Sequence, residues 1–149
     1  MERLRHRFGK ALGVRARRRW QGGRVLVVED NPLFAELVCD FLRDCRLVPV
    51  GPALDLGTAL PLAADAALDG AVLDLNLPGG LSLPVCRALG ARSIPFLFLT
   101  GVRDLSLIPV EYRVAPMIAK PFDTRELTSA LAAILPAWSP PALDLAAVH

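Results

Sequence analysis

Four short apolar runs in this chain each stop at a polar or charged residue. Arg24-Val-Leu-Val-Val28 runs into Glu29-Asp30, and Gly70-Ala-Val-Leu73 runs into Asp74. Pro95-Phe-Leu-Phe-Leu99 ends at Thr100, and Pro116-Met-Ile-Ala119 at Lys120-Pro121. Near-continuous apolar runs suit strands covered on both faces, and parallel neighbours need crossover helices between them. Ligands of such sheets bind outside the carboxyl ends of the strands. A carboxylate placed there among aliphatic residues is costly unless it meets a cation or takes part in chemistry. The four ends together would bring two or three carboxylates, a hydroxyl and an ammonium to one rim. That set suits divalent-metal-assisted phosphoryl chemistry.

Helix signals fill the intervals. Asn31 can cap a helix with Pro32 at its first position, and Leu33, Phe34, Leu37, Val38, Phe41 and Leu42 form its apolar stripe. Residues 46–50 read as a second strand stopped by Gly51-Pro52. A second helix is expected over 55–67, bent by Pro61, with the third strand at 71–75. Residues 82–91 form the third helix and 96–99 the fourth strand. In 101–115, Gly101, Pro109 and Pro116 leave room only for a short, poorly propagated helix. A brief strand at 117–119 precedes a last helix over 124–135, with Asp123 as its cap and Glu126 as capping-box partner. The fold class is therefore α/β, a doubly wound five-stranded parallel sheet over residues 24–135. The Pro/Ala-rich segment 136–149 is expected to pack loosely.

At 149 residues the chain has one domain's worth of core, and with 53% hydrophobic but only 6% aromatic residues that core is aliphatic. The net charge of +2 hides an asymmetry: residues 1–23 hold eight basic side chains against Glu2, whereas the rest holds nine basic and fourteen acidic residues. A +7 arm thus precedes a −5 body. Mutual repulsion favours a solvated, disordered arm, although Leu4, Phe8, Ala11 and Leu12 fall at helical spacing. An over-extended translation start would give the same pattern.

Cys39, Cys45 and Cys86 are odd in number and lack CxxC spacing, which points to buried free thiols in a reducing cytoplasm. Histidine occurs only at His6 and His149, against a histidine zinc site or a Ser-His-Asp triad. The longest uncharged run, 127–143, is broken by Pro136, Pro140 and Pro141 and falls short of the ~20 apolar residues of a membrane helix. No Walker loop or GxGxxG is present, so nucleotide binding has no support.

The acidic pair Glu29-Asp30, then Asp74, Thr100 and Lys120-Pro121, lie on successive strand ends, with successive steps of 44, 26 and 20 positions counted along the chain from Asp30. In this the chain resembles the receiver domain of bacterial two-component response regulators, over about residues 24–135. The Phe-Leu-Phe-Leu-Thr-Gly run and the Asn-Leu-Pro-Gly-Gly turn look like stand-alone alphaproteobacterial receivers, with Leu99 and Val102 where a PFxFATGY-like motif has Ala and Tyr.

The resemblance implies a flavodoxin-like fold with strand order 2-1-3-4-5. It implies Asp74 as the nucleophile taking a phosphoryl group from a histidine kinase or phosphotransfer protein. Mg²⁺ would be held by Asp30, Asp74 and the Asn76 main-chain carbonyl, with Glu29 acting mainly through water. Lys120 and Thr100 would contact phosphoryl oxygens, and Lys120–Pro121 would be cis. Such a regulator is cytoplasmic and not an enzyme beyond its own phosphorylation and dephosphorylation.

About 14 residues follow the last helix, too few for a DNA-binding module, so a single-domain regulator with an unidentified downstream protein is expected. A second copy of the chain is a further partner, and the arm could add binding to nucleic acid or an anionic surface. One departure concerns the aromatic switch position three residues before the lysine, occupied here by Met117; Tyr112 is the nearest aromatic. A competing reading, a haloacid-dehalogenase-type phosphatase, rests on Asp74-Leu-Asn76. Such enzymes place a DxD after their first strand, however, and here the pattern follows the third and ends in Asn.

Overall fold

The computed structural model describes residues 22–101 and 105–141. The basic arm up to Gln21, Val102 and the last eight residues lie outside the described residues. The elements in chain order are β1 (Arg24–Val28), α1 (Pro32–Asp44), β2 (Val48–Ala53), α2 (Leu56–Asp65), β3 (Gly70–Leu73) and a small hairpin of β4 (Asn76–Leu77) and β5 (Gly80–Leu81). Next come α3 (Leu83–Ala91), β6 (Phe96–Thr100), two 3-10 turns (Leu105–Leu107 and Val110–Tyr112), β7 (Met117–Ala119) and α4 (Thr124–Ile134). Five strands form one parallel sheet in the order β2-β1-β3-β6-β7. Once the hairpin strands are passed over, this is the expected 2-1-3-4-5. The hairpin itself, closed around Pro78-Gly79, was not anticipated.

The alternation of side chains along each strand divides the core into two layers. Val25, Val27, Val72, Leu97, Leu99 and Ile118 face α1 and α4. Their sequence neighbours Leu26, Val28, Ala71, Leu73 and Phe98 face α2 and α3. A sheet covered on both faces therefore explains why these strands read as unbroken apolar runs.

Several boundaries differ from expectation. β2 starts at Val48 rather than Arg46, because Arg46 takes a left-handed φ of 62° in closing the end of α1. It also runs through Gly51-Pro52 to Ala53. β2 is an edge strand, where a proline removes no interior ladder bond. Gly51 sits at φ 97°, and a Cβ there would lie 2.7 Å from the Ala53 nitrogen and 3.2 Å from the Val27 oxygen. Both Gly51–Pro52 and Lys120–Pro121 are cis, the second as expected. α2 is shorter than expected, β3 ends at Leu73 rather than Leu75, and β6 runs on to include Thr100.

The expected apolar stripe of α1 is rotated. Ala35, Val38, Cys39, Phe41 and Leu42 are buried, whereas Leu33 is 85% and Leu37 53% exposed. The Asn31 cap forms as expected, its Oδ1 accepting from the Leu33 and Phe34 amides at 3.0 and 3.1 Å. Asp123 caps α4 likewise, accepting from the Arg125 and Glu126 amides.

The segment after α4 is not wholly loose. Leu135 and Trp138 are buried in the α1/α4 layer, and Trp138 Nε1 donates to the Cys45 carbonyl at 3.2 Å. All three cysteines are free and buried. Burial pushes Cys45 up to about 11 and Cys86 up to about 12, which keeps both thiols protonated near neutral pH. Replacing Trp138 removes a core side chain from what the sequence marks as a tail. Trp138→Ala should cost about 3 kcal/mol or more in urea unfolding, and Trp138→Phe, which loses mainly the hydrogen bond, about 1 kcal/mol. A Trp138→Ala midpoint equal to wild type would show that the packing contributes nothing.

Candidate functional site

Parallel register carries the polar residues to one edge. Val28 pairs with Leu73, Leu73 with Phe98, and Thr100 with Ala119, so Glu29, Asp74, Thr100 and Lys120 leave neighbouring strands on the same side. Main-chain bonds hold the exits. The Asp74 amide donates to the Val28 carbonyl at 2.8 Å, the Glu29 amide to Ala53 at 3.0 Å and the Lys120 amide to Thr100 at 3.1 Å. Glu29, Asp74 and Thr100 are buried, whereas Asp30 is exposed.

The centre of the site is Lys120. Its Nζ donates to both oxygens of Glu29, at 2.8 and 2.6 Å, and to Asp74 Oδ2 at 2.9 Å. The ammonium also sits 4.8 Å from the centroid of the Phe34 ring, at cation–π distance. Phe34 in turn meets the Phe122 ring edge-on. The Asn76 amide donates to Asp74 Oδ1 at 3.4 Å and the Asn31 amide to Glu29 Oε1 at 3.3 Å.

Burial pushes the Glu29 carboxyl up; the Lys120 hydrogen bond opposes this and the Asp74 carboxylate adds to it, leaving Glu29 at about 7. Burial alone would lower the pKa of Lys120, but hydrogen bonds and attraction from Glu29 and Asp74 outweigh it and hold it above its ordinary 10.5.

Glu29, Asp30 and Asp74 each offer a carboxylate oxygen within 4.8 Å of the other two. An all-oxygen cluster with one exposed member and one carboxyl close to protonation is chemically suited to a hard divalent cation such as Mg²⁺. Glu29, Asp30 and Asp74 thus come together, with Lys120 in direct contact with Glu29 and Asp74, and Thr100 ends the neighbouring strand. Two features lay outside the sequence reading. Glu29 bonds Lys120 directly rather than standing apart from it, and Phe34 stacks beneath the ammonium; neither an i,i+91 contact nor a ring position leaves a sequence signal. Tyr112 packs edge-on against Phe96, 5.9 Å between centroids.

A parallel sheet in this order, with polar residues gathered at the carboxyl ends of its strands, is a doubly wound domain of flavodoxin-like topology. The family model described as response regulator receiver domain matches residues 25–132, and the chain belongs to that family of two-component signalling proteins. Among curated relatives, the transcriptional regulatory protein BaeR of Escherichia coli O6:H1 is 32% identical over 116 residues, covering 75% of this chain and 48% of that protein. The chain therefore spans about half the length of the curated relatives it matches.

Among solved structures, SdrG from Sphingomonas melonis Fr1 is 42% identical with a TM-score of 0.67, covering 77% of this chain and 98% of that one. The BeF3-activated conformation of SdrG, there assigned to Pseudomonas melonis Fr1, gives a TM-score of 0.63 at 42% identity, covering 75% and 95%. No helix among the described residues is long and apolar enough to cross a membrane.

The raised Glu29 carboxyl has a sign that can be checked. Its folded pKa lies above the ordinary 4.5, so it contributes stability that is fully present at acid pH and lost as pH rises from about 4.5 to about 7. In chelator, the stability of wild type relative to Glu29→Gln should therefore improve as pH falls from about 8 to about 5. One pKa unit is about 1.4 kcal/mol, which sets a ceiling of about 3 kcal/mol on the change. A pH-independent difference would show that burial does not raise the Glu29 carboxyl in the folded protein.

Proposed function

We propose that this receiver accepts a phosphoryl group on Asp74 from a phosphohistidine of a sensor histidine kinase or phosphotransfer protein, and signals by changed contact with a downstream protein. The observation that carries this reading is the convergence of Asp74 with Lys120 at 2.9 Å inside an acidic cluster. SdrG, at 42% identity, takes a BeF3-activated conformation, and that protein's response supports the same chemistry here.

In the transfer an Asp74 oxygen attacks phosphorus. The new P–O bond forms as the P–N bond to the donor imidazole breaks, and the imidazole departs with the electron pair and gains a proton from solvent. Asp30, Asp74 and the Asn76 main-chain carbonyl would hold Mg²⁺, with Glu29 acting mainly through water; when bound, the ion supplies the positive charge that lets two anions meet.

The chain's own residues supply the rest. Lys120 already faces Asp74 and would place its ammonium on a phosphoryl oxygen, exchanging one of its present carboxylate bonds for a new one. Thr100, buried at the end of β6, would donate its hydroxyl to another. Because the two 3-10 turns follow β6 in the sequence, movement of Thr100 would be read out over 101–119, where ordering of short turns takes the place of an aromatic rotation at Met117. The protein is read as a cytoplasmic regulator.

Asp74→Asn and Asp74→Ala should reduce acid-stable, base-labile labelling by acetyl phosphate or a cognate kinase to background while leaving circular dichroism unchanged. Excess chelator should do the same to wild type. Full labelling of Asp74→Ala would overturn the assignment. In amide exchange with beryllofluoride as phosphoryl mimic, wild type should change across 101–119, and Thr100→Ala and Lys120→Ala should bind the mimic without that change. No change in wild type would place the readout elsewhere.

A further inference from the structure

The exposed side of α1 carries an apolar groove of about 340 Å³ whose floor is Leu37 and Phe41 from α1 and Pro121 and Phe122 from the loop after β7. Asp40 and Asp44 line the same groove. The ring of Phe122 meets Phe41 edge-on at 5.5 Å, so the floor is an organised aromatic surface rather than a loose dent. Leu37, half exposed in the groove, is one of the residues whose burial the α1 pattern predicted and the core does not provide.

Charge along α1 is one-sided. Glu36, Asp40 and Asp44 face Arg43 as the single cation of α1, and Arg43 is already engaged by Glu36 at 3.2 Å and Asp40 at 2.9 Å. Among the described residues Asp44 has no ion-pair partner.

The segment that precedes β1 has the complementary chemistry. Residues 1–21 carry eight basic side chains against one acidic, and Leu4, Phe8, Ala11 and Leu12 recur at i, i+4, i+7 and i+8. It also starts from the right place. The Gly23 carbonyl accepts from the Val48 amide at 2.7 Å, and Val48 lies only four residues beyond Asp44, the last residue of α1. The junction therefore stands within about 20 Å of the Asp44 end of the groove, while 21 residues reach about 30 Å as a helix and about 70 Å extended.

We propose that the groove between α1 and the loop after β7 is the docking surface for the chain's own N-terminal arm, residues 1–21, in cis. The apolar residues of the arm cover Leu37, Phe41 and Phe122, and its arginines meet Asp40 and Asp44. Tethering places the arm at an effective concentration of about millimolar, so a contact too weak to persist between separate chains is well occupied within one. Pro121 belongs to the groove floor and Lys120 to the acceptor site, so an arm seated there lies against the segment that aims the lysine.

The test uses the full chain. Gly9→Cys carries a nitroxide label, which the three buried native thiols leave as the single reactive position. In isotopically labelled protein at low salt, amide signals of Leu37, Phe41, Asp44 and Phe122 should lose most of their intensity, and those of α2 should not. High salt should restore the signals, because exposed charges are screened. Asp44→Lys and Phe8→Ser, each added to the labelled chain, should restore them independently. Broadening that is absent from the groove, or equal over α2, would overturn the proposal. Broadening seen only when spin-labelled chains are mixed with isotopically labelled ones would assign the groove to a second copy and overturn docking in cis. Salt-sensitive duplex DNA binding by an arm that leaves the groove signals unchanged would overturn it as well.

Discussion

One ammonium holds the carboxyl edge of this sheet together. Glu29 and Asp74 are delivered by adjacent strands into a buried rim, where two carboxylates repel and neither is well solvated. Lys120 spans them with three short hydrogen bonds from the far strand of the sheet. A buried ion pair of this kind gains little net stability, because desolvation offsets most of its Coulomb attraction. Its effect is to fix geometry. Without Lys120 two buried acids would face each other, and with it the strand ends are drawn to a common centre.

The rest of the site follows from that constraint. Lys120 must reach back across β6 and β3 to Glu29, so the strands have to end at matching heights, which the unshifted register between β1, β3 and β6 provides. The Phe34 ring, set by the Asn31 cap at the start of α1, lies against the ammonium and links the helix to the site. A site held by a lysine shared between two acids is also poised for change. Any ligand bringing negative charge to Asp74 competes for the same ammonium.

Much of this was legible in the chain alone. Period-free apolar runs reveal strands buried twice over, and Asn31-Pro32 and Asp123 mark helix starts through capping chemistry that depends only on neighbours in sequence. Where the reading failed, the deciding contact was distant. The α1 stripe was placed correctly in period but rotated in phase, since Leu33 and Leu37 are as apolar as Val38 and only the position of the sheet decides which are covered. β2 continued past Gly51-Pro52 because it lies at the edge, a fact of topology. Trp138, in a segment rich in proline and alanine, is buried because α1 ends with the Cys45 carbonyl within reach of its indole.

The sequence by itself determined the alternation of strand and helix, the residue type at each strand end and the family of the fold, because each depends on local pattern and on the chemistry of single side chains. Only the tertiary structure decided which of those residues touch. That Lys120 bonds Glu29 as well as Asp74, that Phe34 underlies the ammonium, and that an acidic-rimmed apolar groove forms beside α1 all require segments up to 91 positions apart to meet. The physical reason is that hydrogen bonds, ring contacts and burial depend on separation in space. The chain sets that separation only when the sheet closes its register and fixes the heights of its strand ends.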